Sequence, residues 1–128
     1  MVVIHKLPVI VGLIGISAAS AFAQTWSKLP TTNNPTPRRN ASAVYDPAQH
    51  RMVVFGGVDS TGSKNDVWSL NLSTMAWHLI TPSPGNIPSP RFSHNAMIDS
   101  SFNRMLLWSG QGSGLFNDVW ALNYSDSA

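Results

Sequence analysis

The segment Asn65-Asp66-Val67-Trp68-Ser69-Leu70-Asn71 returns as Asn117-Asp118-Val119-Trp120-Ala121-Leu122-Asn123, fifty-two positions later. Upstream, Pro37-Arg38 answers Pro90-Arg91, Asp46 answers Asp99, and Arg51 to Phe55 answers Arg104 to Trp108, each fifty-three apart. Trp26 and Trp77, fifty-one apart, open the two copies. A self-similar period of roughly fifty residues restricts the chain to arrays of one supersecondary unit, propellers among them. It also supplies an internal comparison. A residue that recurs at equivalent positions serves the unit before it serves any single site.

Each copy divides into short apolar runs separated by turn residues, which predicts an all-β chain. In the first copy the runs are Ala41 to Tyr45, Arg51 to Phe55, Val67 to Leu72 and Trp77 to Ile80. In the second they are Asn95 to Ile98, Arg104 to Trp108 and Val119 to Asn123. Helical periodicity is confined to the first residues. There, His5-Lys6, an apolar run from Leu7 to Ile16 and the small-x-small triplet Ala21-Phe22-Ala23 predict a signal peptide over residues 1–23. The run falls short of the ~20 apolar residues that span a bilayer. A secreted or periplasmic chain over 24–128 follows, with no membrane association after cleavage.

That portion carries seven Lys or Arg against six Asp, and neither Glu nor Cys. Disulfides, thiolate nucleophiles and Cys-ligated metals are therefore excluded, and the commonest carboxylate for acid–base work is missing. Beyond Arg38-Arg39 there is no basic run and no nucleic-acid motif. His50, His78 and His94 fall on three different elements without ligand spacing, so no metal and no cofactor is expected.

Four short antiparallel strands per repeat describe a propeller blade. Gly56-Gly57 follows the second strand, Asn-Asp-Val-Trp marks the third, Trp26 and Trp77 the fourth, and Pro90-Arg-Phe-Ser-His94 precedes a first strand. On these residues the chain resembles the Kelch repeat family, the β-propeller type that includes the central domain of galactose oxidase. It departs at Ser109-Gly110, where a double glycine is expected, and at Ala41, where the first copy would carry the histidine. The resemblance implies a lone N-terminal strand over 25–29, blade one over 37–81 and blade two over 90–123, the second blade lacking a fourth strand of its own. Two blades cannot close a ring, which needs roughly four to eight. Further blades are expected from a longer chain or from self-association.

Recurrence sorts the candidate residues. Asp66 and Asp118 read as turn caps accepting backbone N–H groups, Trp68 and Trp120 as packing between blades, and Gly56, Gly57 and Gly110 as positions for unusual backbone angles. Arg38 and Arg91 fall near the expected channel, where a guanidinium binds either a carboxylate ligand or partners within its own blade. His94 has no counterpart in the first copy and reads as a family structural position, with a base or ligand role as the alternative. Arg39 and Phe92 differ between copies and are candidates for specificity. The long connections, 58–65, 82–90 and 111–116, emerge at one end, a face bearing Asn34, Asn86 and Gln111. Long loops on a rigid scaffold are where binding usually resides.

The resemblance then implies an exported binding module for a protein or glycan, without catalysis. A Kelch-scaffold carbohydrate enzyme such as a sialic-acid mutarotase is the alternative, and a structural or adhesive surface protein the third reading. The cysteine crosslink of galactose oxidase has no counterpart in this sequence.

Overall fold

The computed structural model describes residues 24–124; the predicted signal peptide lies outside them. Its strands are β1 (Ser42–Asp46), β2 (Arg51–Phe55), β3 (Val58–Asp59), β4 (Gly62–Ser63), β5 (Val67–Asn71), β6 (Ala76–Ile80), β7 (Asn95–Asp99), β8 (Arg104–Trp108) and β9 (Val119–Asn123). One antiparallel sheet has the order β1-β2-β5-β6 and a second the order β7-β8-β9, while β3-β4 form a small hairpin in the β2–β5 connection. The chain is thus two Kelch-type blades, the second with three strands among the described residues.

Registers are equivalent. Ser42 pairs with Phe55 and Asn95 with Trp108, while Phe55 pairs with Val67 and Trp108 with Val119. Side chains alternate across each sheet, so every blade has two unlike faces. Val44, Val53, Phe55 and Val67 project from one face of blade one, and Met105 and Leu107 from the opposite face of blade two, into one shared core. Ile98, Trp120 and Leu122 pack against it. Each fully buried aliphatic or aromatic side chain there contributes about 1.5–3 kcal/mol. Tight turns are fixed by side chains: Asp46 Oδ1 accepts from the amides of Ala48 and Gln49, and Asn71 Oδ1 from those of Ser73 and Thr74. Asp46 also accepts from Arg51 Nε at 2.9 Å, and Asp99 from Arg104 Nε at 2.9 Å.

The lone strand expected over 25–29 is not formed. Those residues carry no ladder, and Trp26 is wholly exposed. Three residues further on, Thr32 makes a parallel bridge to Ala76 beside β6. Strand geometry in 25–29 requires a neighbour whose edge is free, and the edge of β6 offers only this single bridge. The outer edge of β9, unpaired among the described residues, belongs to the other blade.

Candidate binding face

Both long connections between second and third strands are closed at the root by an arginine. Arg38 Nη1 donates to the carbonyl of Gly56 (3.0 Å) and to Asp66 Oδ1 (2.6 Å), and Nη2 donates to Asp66 Oδ2 (2.9 Å). One guanidinium thereby ties the first residue of the 56–66 connection to its last. Arg91 repeats the arrangement, with Nη1 on the carbonyl of Ser109 (3.0 Å) and a bidentate pair to Asp118. Trp68 Nε1 donates to Asp66 Oδ2 at 2.8 Å and Trp120 Nε1 to Asp118 Oδ2 at 2.6 Å, so each carboxylate is held from two sides. The Arg91 guanidinium also lies over the Phe116 ring, 4.2 Å from its centroid.

Arginine and indole are the main partners of both carboxylates, and the backbone amide contact expected of a turn cap is the smaller influence on each. Sequence spacing hides the partner, which sits 28 or 27 residues upstream. The available signal was that arginine and aspartate recur together. Burial raises the Asp66 carboxyl, but the hydrogen bonds from Arg38 and Trp68 and the Arg38 charge outweigh it and hold it below the ordinary range. For Asp118 the Arg91 hydrogen bond is the largest influence, and its carboxyl is also held low. Arg91 is fully buried, and the Arg38 side chain is nearly so. Both are committed to their own blade.

His94 is buried between the blades. Its Nε2 lies 2.7 Å from Ser42 Oγ across the interface, and its ring meets Phe55 edge-on at 5.2 Å. Desolvation, with the Arg91 charge second, lowers its pKa and keeps the imidazole neutral. Among the described residues no carboxylate orients the other ring nitrogen, so the serine–histidine pair joins two blades rather than forming a relay. Its 52-residue separation left it invisible to local spacing. No three His or Asp side chains gather as metal ligands among the described residues.

The remaining candidates divide into two places. Arg39 and Val58 exchange backbone hydrogen bonds of 3.0 Å, and Phe92 and Gln111 do so at 2.9 and 3.0 Å, so the two positions that differ between copies sit equivalently against the loop roots. Gly57 N donates to the Arg91 carbonyl and Arg91 N to that of Lys64, which joins the first loop to the second clamp. The 58–63 hairpin is held by Asp59, which accepts from the Thr61 amide at 2.8 Å and from Thr36 Oγ1 at 2.8 Å. The Thr61 amide is the main reason its carboxyl is held low. Asn86 stands apart from this cluster, in the linker over a groove of about 200 Å³ between the blades. Asn34 is taken up in a local turn with Thr31. At the loop tips Ser60, Gln111 and Ser113 are exposed, and Leu115 is 88% exposed.

A family model described as the KLHDC2/KLHL20/DRC7 Kelch-repeats domain matches residues 18–128. The chain belongs to the Kelch-repeat family. Similar proteins include the flagellar outer arm dynein alpha chain of Chlamydomonas reinhardtii, 31% identical over 104 residues, which are 79% of this chain and 2% of that one. Tip elongation aberrant protein 1 of Schizosaccharomyces pombe is 37% identical over 86 residues, 64% of this Kelch chain and 7% of its own length. Acyl-CoA-binding domain-containing protein 4 of Arabidopsis thaliana is 33% identical over 100 residues, 77% and 15% respectively. The chain spans a small fraction of each relative. Kelch repeats generally mediate protein–protein interaction, with which a binding module is consistent.

Proposed function

We propose that this Kelch chain is an exported module that binds a protein partner through the face built by the 58–63 hairpin, the 111–116 loop and the residues beside them, Arg39 and Phe92. The observation that carries the reading is the pair of arginine clamps. They spend the buried charge on holding loop roots, which leaves polar and apolar tips presented on a rigid base. Leu115 supplies exposed apolar surface, and Arg39 supplies a cation of a residue type enriched at binding hot spots. Export rests on the layout of residues 1–23.

The test has two arms. Expression in a secreting host followed by mass measurement of the exported chain should give a product beginning at Gln24; retention of an intact N-terminus inside the cell overturns the export reading. For binding, surface and secreted proteins of the host are crosslinked to wild type and to an Arg39→Ala/Leu115→Ser variant. A partner held by wild type and lost by the variant is the expected result. A glycan array that retains the chain through the same two residues would replace the protein ligand with a carbohydrate.

A further inference from the structure

Among the described residues, the backbone hydrogen bonds between the blades run through one short segment, Arg91 to His94. Gly57 N donates to the Arg91 carbonyl at 2.9 Å, Arg91 N to the Lys64 carbonyl at 2.9 Å, and Ser93 N to the Asn40 carbonyl at 2.9 Å. His94 ends the segment, its Nε2 2.7 Å from Ser42 Oγ. Ser93 is held at φ 54°, a left-handed conformation that disfavours a side chain, so the cross-blade bonds impose a shape the segment would not keep alone. The same segment carries the Arg91 guanidinium, which closes the root of the second long connection. One strap therefore fixes both the seam between the blades and the loop that bears Leu115.

The titratable group in this seam has no room to adapt. His94 is 6% exposed, and backbone encloses its ring: a Cβ on Gly56 would lie 3.2 Å from its Cε1. From β1 it meets the neutral Ser42 hydroxyl, and from β2 the Phe55 ring and backbone. Behind it lies Gly110, where a Cβ would come within 2.8 Å of the His94 Cβ. Among the described residues the charge that bears on the ring is that of Arg91, itself paired with Asp118. A second positive charge there would be dry and beside a guanidinium, with no carboxylate of its own. Once the seam opens, the ring reaches water and takes a proton at its ordinary value of 6.5. The open form thus binds a proton more readily than the closed one, and acid below that value favours opening. The counterpart of His94 in the first copy is Ala41, so the strap before β1 carries no such group.

We propose that the segment Arg91–His94 is an acid-sensitive latch between the blades. Protonating His94 breaks its contact with Ser42, releases the three backbone bonds beside it, and slackens the loop root that Arg91 holds. The 111–116 loop is then presented on a firm base at neutral pH and on a loose one in acid, so that a partner held there is released as pH falls. This last consequence rests on the loop-face reading, whereas the latch does not.

Amide hydrogen exchange of the whole chain at about pH 7.5 and about pH 5, corrected for the intrinsic pH dependence of exchange, tests the latch without any partner. The Gly57, Arg91 and Ser93 amides should exchange faster than that of Val53 in the central strand β2, which marks opening short of unfolding. Their protection should fall by about threefold or more on acidification, and a single proton limits the fall to about tenfold per pH unit. His94→Gln keeps a polar group for Ser42 but does not titrate, and its three amides should be protected equally at both pH values. Seam amides that exchange only as fast as Val53, or protection that falls equally in His94→Gln, overturn the proposal. Where the variant fails to fold, imidazole NMR of wild type decides, with the exposed His50 and His78 as references. A His94 titration that coincides with the loss of seam protection supports the latch; one that leaves those amides unchanged refutes it. A failure to crosslink any partner at neutral pH bears on the loop face alone.

Discussion

Removing the Arg91 guanidinium would leave Asp118 facing an empty site, and would free the Ser89 and Ser109 carbonyls that it also binds. Breaking a buried ion pair by deleting one partner costs about 3–5 kcal/mol when the other charge stays dry. The Asp118 side chain is 36% exposed, so water takes over part of its solvation and the low end applies. Arg91→Ala should cost about 3 kcal/mol. Arg91→Lys restores the charge but neither the bidentate geometry nor the stacking on Phe116, and should recover only about half of that loss. Urea midpoints at constant m-value measure both. A lysine variant as stable as wild type would mean that charge alone, not the fork, closes the loop.

Strands were the most legible elements, because alternation and the repeat point to the same residues. Arg51–Phe55 and Arg104–Trp108 form strands with the bounds read from the sequence. The β3–β4 hairpin escaped because only two residue pairs hold it, too few for a periodicity, although Asp59-Ser60-Thr61-Gly62 is a turn signal. Residues 25–29 carried a strand pattern but found no edge, since pairing depends on a neighbour that local sequence does not contain. The loop clamps and the His94–Ser42 contact were unreadable for a related reason: each joins residues tens of positions apart. At the start of the two long connections the copies differ in a way that gives a prediction. Gly56 has φ +62°, and its counterpart Ser109 has φ 64°, the left-handed region that costs a side chain about 1–2 kcal/mol. Ser109→Gly should therefore stabilise by about 1 kcal/mol. Gly56→Ala should cost more than that penalty, because a Cβ there would lie 2.7 Å from the Arg91 carbonyl oxygen and 3.0 Å from that of Lys64. Thermal unfolding of the two variants gives opposite shifts if backbone strain governs the site, and like signs would refute it.

The stability of the whole molecule should respond to acid in two steps, set by groups that titrate differently when folded. His94 is held neutral in the interface, its pKa below the ordinary 6.5. Its contribution is complete above pH 6.5 and is lost as pH falls through the folded value, because only the unfolded chain protonates in that window. Asp59, Asp66 and Asp118 are held below their ordinary 3.8. They stabilise fully above that value, and the contribution drains away as pH falls from about 4 towards the depressed native pKa values. A profile of urea midpoints from pH 8 to 2 should thus show a shallow limb beginning near pH 6.5 and a steeper one below pH 4. His94→Gln should abolish the shallow limb and spare the steep one, since it removes the titration while retaining a polar partner for Ser42. Asp66→Asn should spare the shallow limb and only reduce the steep one, which Asp59 and Asp118 still feed: weaker than wild type at pH 7, with the gap narrowing as acid neutralises the wild-type carboxylate. A gap that stays constant down to pH 2 would show that Asp66 acts through packing alone. In that case the clamp holds its loop by shape, and the paired charges contribute nothing to the fold.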